Sequence, residues 1–288
     1  MEKRKGISFP LFHILSVVKE AVMKRNIIFG SIFLLGLSIF LYPTVSNWFA
    51  TRTHYSEVSM YDEAVKRLEK EEIVRKEAEA QEYNKKVQNT TQTFSDPFRE
   101  KDDEHKSSTV DMLNIGDVMG YVEIPKIDVN LPIYQGTTEE VLTRGVGQLN
   151  ESSLPIGGES THTVLTGHRG LPSALMFTSL DKIEKNDIFY IHSLDKILAY
   201  QVDQIKVVLP NETKDLLVVQ GEDYATLITC TPYGVNTHRL LVRGHRVPYD
   251  AGEKEMIPKS FIIEDWMIVL PIVLICIILL MIYLKKRK

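Results

Sequence analysis

The sequence predicts a mainly β protein, a closed or nearly closed β-barrel, flanked by two membrane-spanning helices. Three observations carry that expectation. Seven short runs rich in β-branched and aromatic residues follow one another between 118 and 247, punctuated by Gly and Pro, which is the texture of a barrel built from short strands. From Trp266 to Leu284 the chain is uncharged over 19 residues and is followed at once by Lys285, Lys286, Arg287 and Lys288. A helix of that length crosses a bilayer. Near the other end, Ile27 to Tyr42 is uncharged over 16 residues, and Pro43 to Ala50 extends it with an apolar and aromatic stretch containing Trp48 and Phe49.

The 288 residues include 34 Lys+Arg and 38 Asp+Glu, a formal charge of −4, with 44% hydrophobic residues. This is ordinary globular composition for one good-sized domain with appendages. Two cysteines, Cys230 and Cys276, exclude a disulfide scaffold, because the second sits inside the C-terminal apolar run. A cleaved secretory signal competes with an N-terminal span, but the basic lead-in is long and no small-x-small site follows the apolar core. Residues 1–25 carry six basic and two acidic side chains, and the C-terminal tail carries four basic ones. Both ends are therefore expected in the cytoplasm. What remains, residues 43 to 265, holds 24 basic and 36 acidic residues, a net charge of −12. An acidic domain outside the membrane argues against nucleic acid as partner and suits cationic, lysine-bearing ones.

Tyr55 to Val87 is rich in Glu, Lys, Ala and Gln, with Val58, Tyr61, Val65 and Leu68 at three- and four-residue steps. That spacing predicts an amphipathic helix whose second half, after Ile73 and Val74, is a solvated stalk that lifts the domain from the membrane or leans on it. Asn89 to Ser108 is polar and aperiodic, a long loop interrupted by Phe94 and by Asp96-Pro97-Phe98. The β-type runs then cover 118–125, 129–136, 161–168, 187–192, 196–210, 224–230 and 239–247, with one short helix expected over Leu175 to Ile183.

Chemistry is sought first at Cys230, which ends the apolar run TLITC and has no disulfide partner. An unpaired cysteine on an oxidising side is either a nucleophile or a small buried hydrophobe, and its place at a strand end favours the first. A thiol needs a proton acceptor, and histidine is the usual one. Of eight histidines, His13, His54 and His105 fall in the tail, stalk and loop, which leaves His162, His168, His192, His238 and His245 in the barrel. His168 ends the run TVLTG where a loop begins, so it too belongs at a strand end. No helical pair of ligands and no second nearby cysteine suggests a metal. Arg239 lies nine residues after Cys230, across the loop TPYGVNTH. A strand, turn and antiparallel strand set these two side by side, where a guanidinium can stabilise an oxyanion. Arg243, four residues further along the same face, and Arg246, on the other face, are alternatives.

TGHRG (166–170) together with TLITCTPYGVNTHRLLVRGHR (226–246) resembles the sortases, membrane-anchored cysteine transpeptidases of Gram-positive bacteria. The resemblance covers roughly 116 to 247 and implies a sortase-type barrel of about eight strands. It implies His168, Cys230 and Arg239 as the catalytic histidine, nucleophile and arginine, with no cofactor and no metal. Three features resemble the pilin-polymerising class C: the wording after Cys230, the second span, and Asp96-Pro97-Phe98, which looks like that class's lid. In the family the lid aspartate approaches the arginine and its ring covers the cysteine. The implied partners are pilin subunits bearing a Leu-Pro-x-Thr-Gly-like sorting signal and an acceptor lysine, together with the membrane. The expected organisation is a cytoplasmic tail (1–25), first span (26–42), helical stalk (43–90), lid loop (91–110), catalytic barrel (111–250), juxtamembrane linker (251–265), second span (266–284) and tail (285–288). A housekeeping enzyme that uses a cell-wall peptide as acceptor shares these catalytic residues, and a non-catalytic assembly scaffold is the alternative outside enzymes. No Asp or Asn can be singled out from the sequence as an orienting partner for His168.

Overall fold

The computed structural model describes residues 9–99 and 112–252, with residues 271, 272, 275 and 279 as isolated helical positions. Two compact units divide it, Met1–Ser46 and Asn47–Lys288. The described residues of the first lie within helix α1 (Phe9–Arg67). Its apolar stretch gives the one helix, among the described residues, long and apolar enough to cross a membrane. The expected second span at 266–284, apart from those four positions, and the expected linker at 251–265, apart from its first two residues, lie outside the described residues, and so does His105 in the loop.

The second unit is a closed barrel of eight strands: β1 (Gly120–Ile124), β2 (Val129–Gln135), β3 (Val146–Gln148), β4 (Thr161–Thr166), β5 (Ile188–Ser193), β6 (Lys196–Val208), β7 (Asp223–Thr231) and β8 (His238–Val247). Around the barrel they run β1-β2-β3-β4-β7-β8-β6-β5. The pairs β2/β3 and β4/β7 are parallel and the others antiparallel. Seven strands coincide with the seven sequence runs. The eighth, β3, has only three residues, too few for a period of two to be visible. It is joined to β2 by the six-residue helix α3 (Glu139–Arg144), which begins at the cap residue Thr138. The short helix expected over 175–183 is a correction: 176–179 are hydrogen-bonded turns, and only Leu180–Lys182 is helical, as a single 3-10 turn.

Side-chain alternation gives the barrel two apolar layers. Leu165, Leu227, Ala225, Leu240 and Val242 belong to the interior cluster. Val164, Ile228 and Leu241 belong to a separate cluster completed by Phe94, Leu149 and Leu216. Both faces of β4 are thus covered, which is why all six of its residues are buried.

The amphipathic stalk is two helices rather than one. α1 ends at Arg67 and α2 (Lys70–Gln88) begins after Glu69, whose extended backbone breaks the helix. Val58, Tyr61 and Val65 are buried against Val118, Tyr121 and Tyr134. Burying a valine fully is worth roughly 1.5–3 kcal/mol, so this stripe docks the helix onto the barrel instead of leaving it solvated. Tyr61 Oη donates to Met119 O at 3.3 Å and accepts from the Leu194 N–H at 2.8 Å. α2 leans on the barrel too, through buried Ala80, Asn84 and Val87. Asn84 imitates a strand partner: its Oδ1 accepts from the Leu154 N–H at 2.7 Å and its Nδ2 donates to Leu154 O at 3.3 Å.

Candidate active site

β4 and β7 are parallel neighbours, and the last paired residues at their C-terminal ends are Thr166 and Ile228. Two residues further along each chain come His168 and Cys230. Gly167 continues the register by donating its N–H to Ile228 O at 3.0 Å and accepting from Thr229 Oγ1 at 2.8 Å. On the other side of β7, Cys230 is the direct cross-strand partner of Arg239 on β8. Residues opposite one another in an antiparallel pair project to the same face. The three residues singled out from the sequence therefore sit on adjacent strands at one end of the sheet. By alternation from Val164, Ile228 and Leu241 they lie on the outer face of the barrel, in the layer that Phe94 and Leu216 cover.

The other arginines of β8 are engaged elsewhere. Arg243 forms a two-point ion pair with Asp203 at 3.1 and 2.6 Å and lies over the Tyr224 ring. Arg246 lies over the Tyr200 ring.

Cys230 is a free thiol, 7% exposed. Burial pushes its pKa up from the usual thiol value; the Arg239 guanidinium opposes that and the Asp96 carboxylate adds to it. Arg239, 8% exposed, is engaged by oxygen acceptors through all three of its nitrogens. Nη1 donates to the Asn236 and His238 carbonyls, each at 2.9 Å. Nε and Nη2 donate to the two oxygens of Asp96 at 2.8 and 2.7 Å. That forked pairing is the strong geometry of guanidinium and carboxylate. It places two negative oxygens where Nε and Nη2 could otherwise meet an oxyanion.

Asp96-Pro97-Phe98 closes over this corner. Phe94 anchors the segment in the outer apolar cluster, and Gln92 accepts from the Val218 N–H at 2.9 Å. Pro97 is buried in a shallow groove that Val208, Leu216, Ile228, Arg239 and Leu241 also line. The Phe98 N–H donates to Asp96 Oδ1 at 3.4 Å, folding the three residues into a tight turn. The Phe98 ring lies over the Arg239 guanidinium at 5.1 Å and beside the His168 ring at 5.7 Å. It thus neighbours both the histidine and the arginine.

Two residues near His168 escaped the sequence reading. Glu139 Oε2 lies 3.2 Å from His168 Nε2. Its run Thr138-Glu139-Glu140 signals a helix start, but no local pattern ties that start to a histidine 29 residues away. Arg169, whose side chain is 7% exposed, donates to Thr231 Oγ1 at 3.1 Å and to Asp181 at 2.7 Å. It ties the loop after His168 to the residue after Cys230. Among the described residues no group of His, Cys, Asp or Glu is arranged to hold a metal ion.

Comparison with known proteins agrees with this geometry. The sortase domain family matches residues 122–247. Curated relatives include sortase A of Streptococcus agalactiae, 29% identical over 40% of this chain, and sortase D of Bacillus subtilis, 30% identical over 46%. The chain spans 47% and 65% of the length of those two proteins. Solved structures align over far more. A sortase C of Streptococcus pneumoniae is 49% identical with a TM-score of 0.63, the match covering 68% of this chain and 98% of that one. A pilus-related sortase C of Group B Streptococcus is 50% identical with a TM-score of 0.62, covering 66% and 96%. With half of the aligned residues identical along nearly the whole length of those chains, the protein belongs to the sortase family of cysteine transpeptidases, and its structural neighbours are the class C enzymes of pili.

Proposed function

We propose that this chain polymerises pilin subunits, with Cys230 as nucleophile, His168 as acid and base, Arg239 as oxyanion donor and Asp96-Pro97-Phe98 as lid. The observation that carries this reading is the opposition of Cys230 and Arg239 across β7 and β8, beside His168 at the end of β4, under a turn whose carboxylate occupies the arginine. The class C neighbours support the choice of pilin as substrate, one of them being named for its pilus.

The lid leaves when a Leu-Pro-x-Thr-Gly-like signal enters the groove. Release of Asp96 frees Nε and Nη2 of Arg239 and removes one of the influences that hold the Cys230 thiol up. The sulfur attacks the carbonyl between Thr and Gly, and the tetrahedral oxyanion takes up the two freed donors. His168 delivers a proton to the leaving glycine amine as the C–N bond breaks, which leaves a thioester on Cys230. A pilin lysine amine then attacks the thioester. His168 accepts its proton, and an isopeptide bond forms as Cys230 departs. Overall the thiol proton leaves with the glycine amine, and the lysine proton restores the thiol.

The membrane reading completes the proposal. The N-terminal span and a second span at 266–284 hold an extracytoplasmic domain by both ends, with both termini in the cytoplasm. Labelling of cysteines placed in the two tails by a membrane-impermeant maleimide on intact cells tests this, since labelled tails contradict it. The catalytic reading is tested by intact mass spectrometry of the full chain in detergent, incubated with a Leu-Pro-x-Thr-Gly peptide and then with a lysine-bearing pilin domain or a cell-wall peptide. An adduct on Cys230 that passes to the pilin lysine is expected. Transfer only to the wall peptide identifies a housekeeping enzyme instead, and no adduct even with Phe98→Ala removes the catalytic assignment.

A further inference from the structure

His168 has one hydrogen-bonding partner for its ring among the described residues, the Glu139 carboxylate at 3.2 Å from Nε2. The groups around the ring leave no second candidate for that role. Phe98 offers only an aromatic face, at 5.7 Å. Arg169, next in the chain, is held by Asp181 and Thr231, and Arg239, beyond Phe98, is held by Asp96. Cys230 lies across the parallel pair on the neighbouring strand.

Glu139 is itself well placed to act as a fixed point. It is the first residue of α3, whose cap residue Thr138 accepts from the Val141 N–H at 3.4 Å. A negative side chain in the first turn is also favoured by the helix end. The far end of the helix is pinned as well. Arg144 lies over the Tyr134 ring at 4.6 Å and pairs with Asp117 at 3.3 Å. Gly145 follows so close to β2 that a Cβ there would stand 2.6 Å from Pro132 O. The helix cannot slide, so the carboxylate is presented to His168 from a braced base. The Glu139 side chain is 66% exposed and the imidazole 16%. An exposed pair of this kind adds little to stability, and orientation is what it has to offer.

We infer that Glu139 is the positioning residue of the site. It accepts the Nε2–H of His168, fixes the plane of the ring, and leaves Nδ1 as the nitrogen that exchanges protons with the Cys230 thiol and the two amines. The two nitrogens of an imidazole are not equivalent, and the partner of one decides the availability of the other. Nothing in the motif around His168 requires a carboxylate, and the sequence between β2 and β3 supplies it from outside the motif. The inference rests on the acid and base role proposed above for His168.

The test uses the full chain in detergent, with Asp96→Ala as parent so that the lid does not limit the rate. Two readouts are taken for Glu139→Ala, Glu139→Gln and Glu139→Lys. The first is steady-state transfer of a sorting-signal peptide to a lysine acceptor. Glu139→Ala is expected to lower kcat by about tenfold or more with KM near the parent value, as for loss of alignment in the transition state. Glu139→Gln should keep most of the rate, because its amide oxygen still accepts the Nε2–H. Glu139→Lys puts a donor where the acceptor stood and should fall with Ala, which guards against an effect peculiar to one variant. The second readout is the imidazole 15N spectrum of His168. The Nε2–H form should dominate in the parent and in Gln, and give way to a mixture of tautomers in Ala and Lys. An unchanged kcat in both Ala and Lys, or an Nε2–H form that persists in them, overturns the inference. If the parent makes no thioester, the catalytic reading fails, and the spectra still decide whether Glu139 orients the ring.

Discussion

Arg239 shows how one side chain can be both poised and withheld. Its guanidinium is already planar, buried and aimed along the edge of β7, yet Nε and Nη2 are held by Asp96 at 2.8 and 2.7 Å. The same carboxylate raises the thiol of Cys230, second to the larger effect of burial and against the pull of Arg239. Removing it takes away one raising influence and leaves the arginine free to favour the thiolate. Asp96→Ala is therefore expected to move the pH profile of Cys230 alkylation by iodoacetamide towards lower pH, with about tenfold faster labelling at pH 7 if the midpoint falls by one unit. A profile that keeps its midpoint and rate would show that Asp96 neither covers nor repels the sulfur.

At the scale of elements, the site depends on β4 and its continuation lying close against β7. Gly167 has no room for a side chain, since a Cβ there would stand 2.7 Å from the Phe177 ring, and Phe177 in turn donates its N–H to His168 O at 3.0 Å. Gly167→Ala is expected to cost about 1–3 kcal/mol in urea unfolding, as overpacking does, and to slow acylation by displacing His168. Lower on the same face of β4, His162 is buried neutral, with Nδ1 at 2.9 Å from Leu217 O and Nε2 at 2.7 Å from Thr226 Oγ1. Burial, helped by Arg243 and opposed by the Leu217 carbonyl, Asp203 and Asp215, lowers its pKa from 6.5 to about 4. The unfolded chain thus binds the proton first. Stability from this residue is complete above pH 6.5 and declines as the pH falls towards 4, by on the order of 3 kcal/mol. His54, also lowered to about 4 by burial, adds to the same slope. His162→Gln should therefore make acid unfolding less steep without abolishing its pH dependence, and an unaltered slope would contradict this account. Of these elements, β7, β8 and the end of β4 were legible in the sequence as apolar runs, two ending in Cys230 and His168 and one beginning at Arg239. The three-residue β3 and the six-residue α3 were not, because neither is long enough to repeat its period, and Glu139 came with them. The 175–183 segment misled because Phe177, Leu180 and Ile183 recur at three-residue steps, whereas they reach the interior cluster from a run of turns and one 3-10 turn.

Over the whole second unit, the helices are integral to the barrel instead of being a spacer beneath it. The sequence showed the stripe Val58, Tyr61, Val65, but its partners Val118, Tyr121 and Tyr134 come from distant segments and had no local signature. Asn84 is the clearest test of how firmly α2 belongs. Asn84→Ala leaves the buried Leu154 N–H without its acceptor, while Leu154 O keeps Thr163 Oγ1 at 3.2 Å. A loss of about 1–3 kcal/mol is expected in equilibrium unfolding, and a change within a few tenths would mean that α2 is only loosely attached. The placement of Asp96 has a consequence for the life history of the molecule. Asp96 precedes Arg239 by 143 residues, and β8, which carries Arg239, is the final strand to be synthesised. A chain made from its N-terminus therefore contains Asp96 before β7 and β8 exist. When β8 completes the barrel, Arg239 arrives in a chain that already carries its partner carboxylate, so under the proposed lid role a newly made molecule meets its own aspartate before it meets a sorting signal.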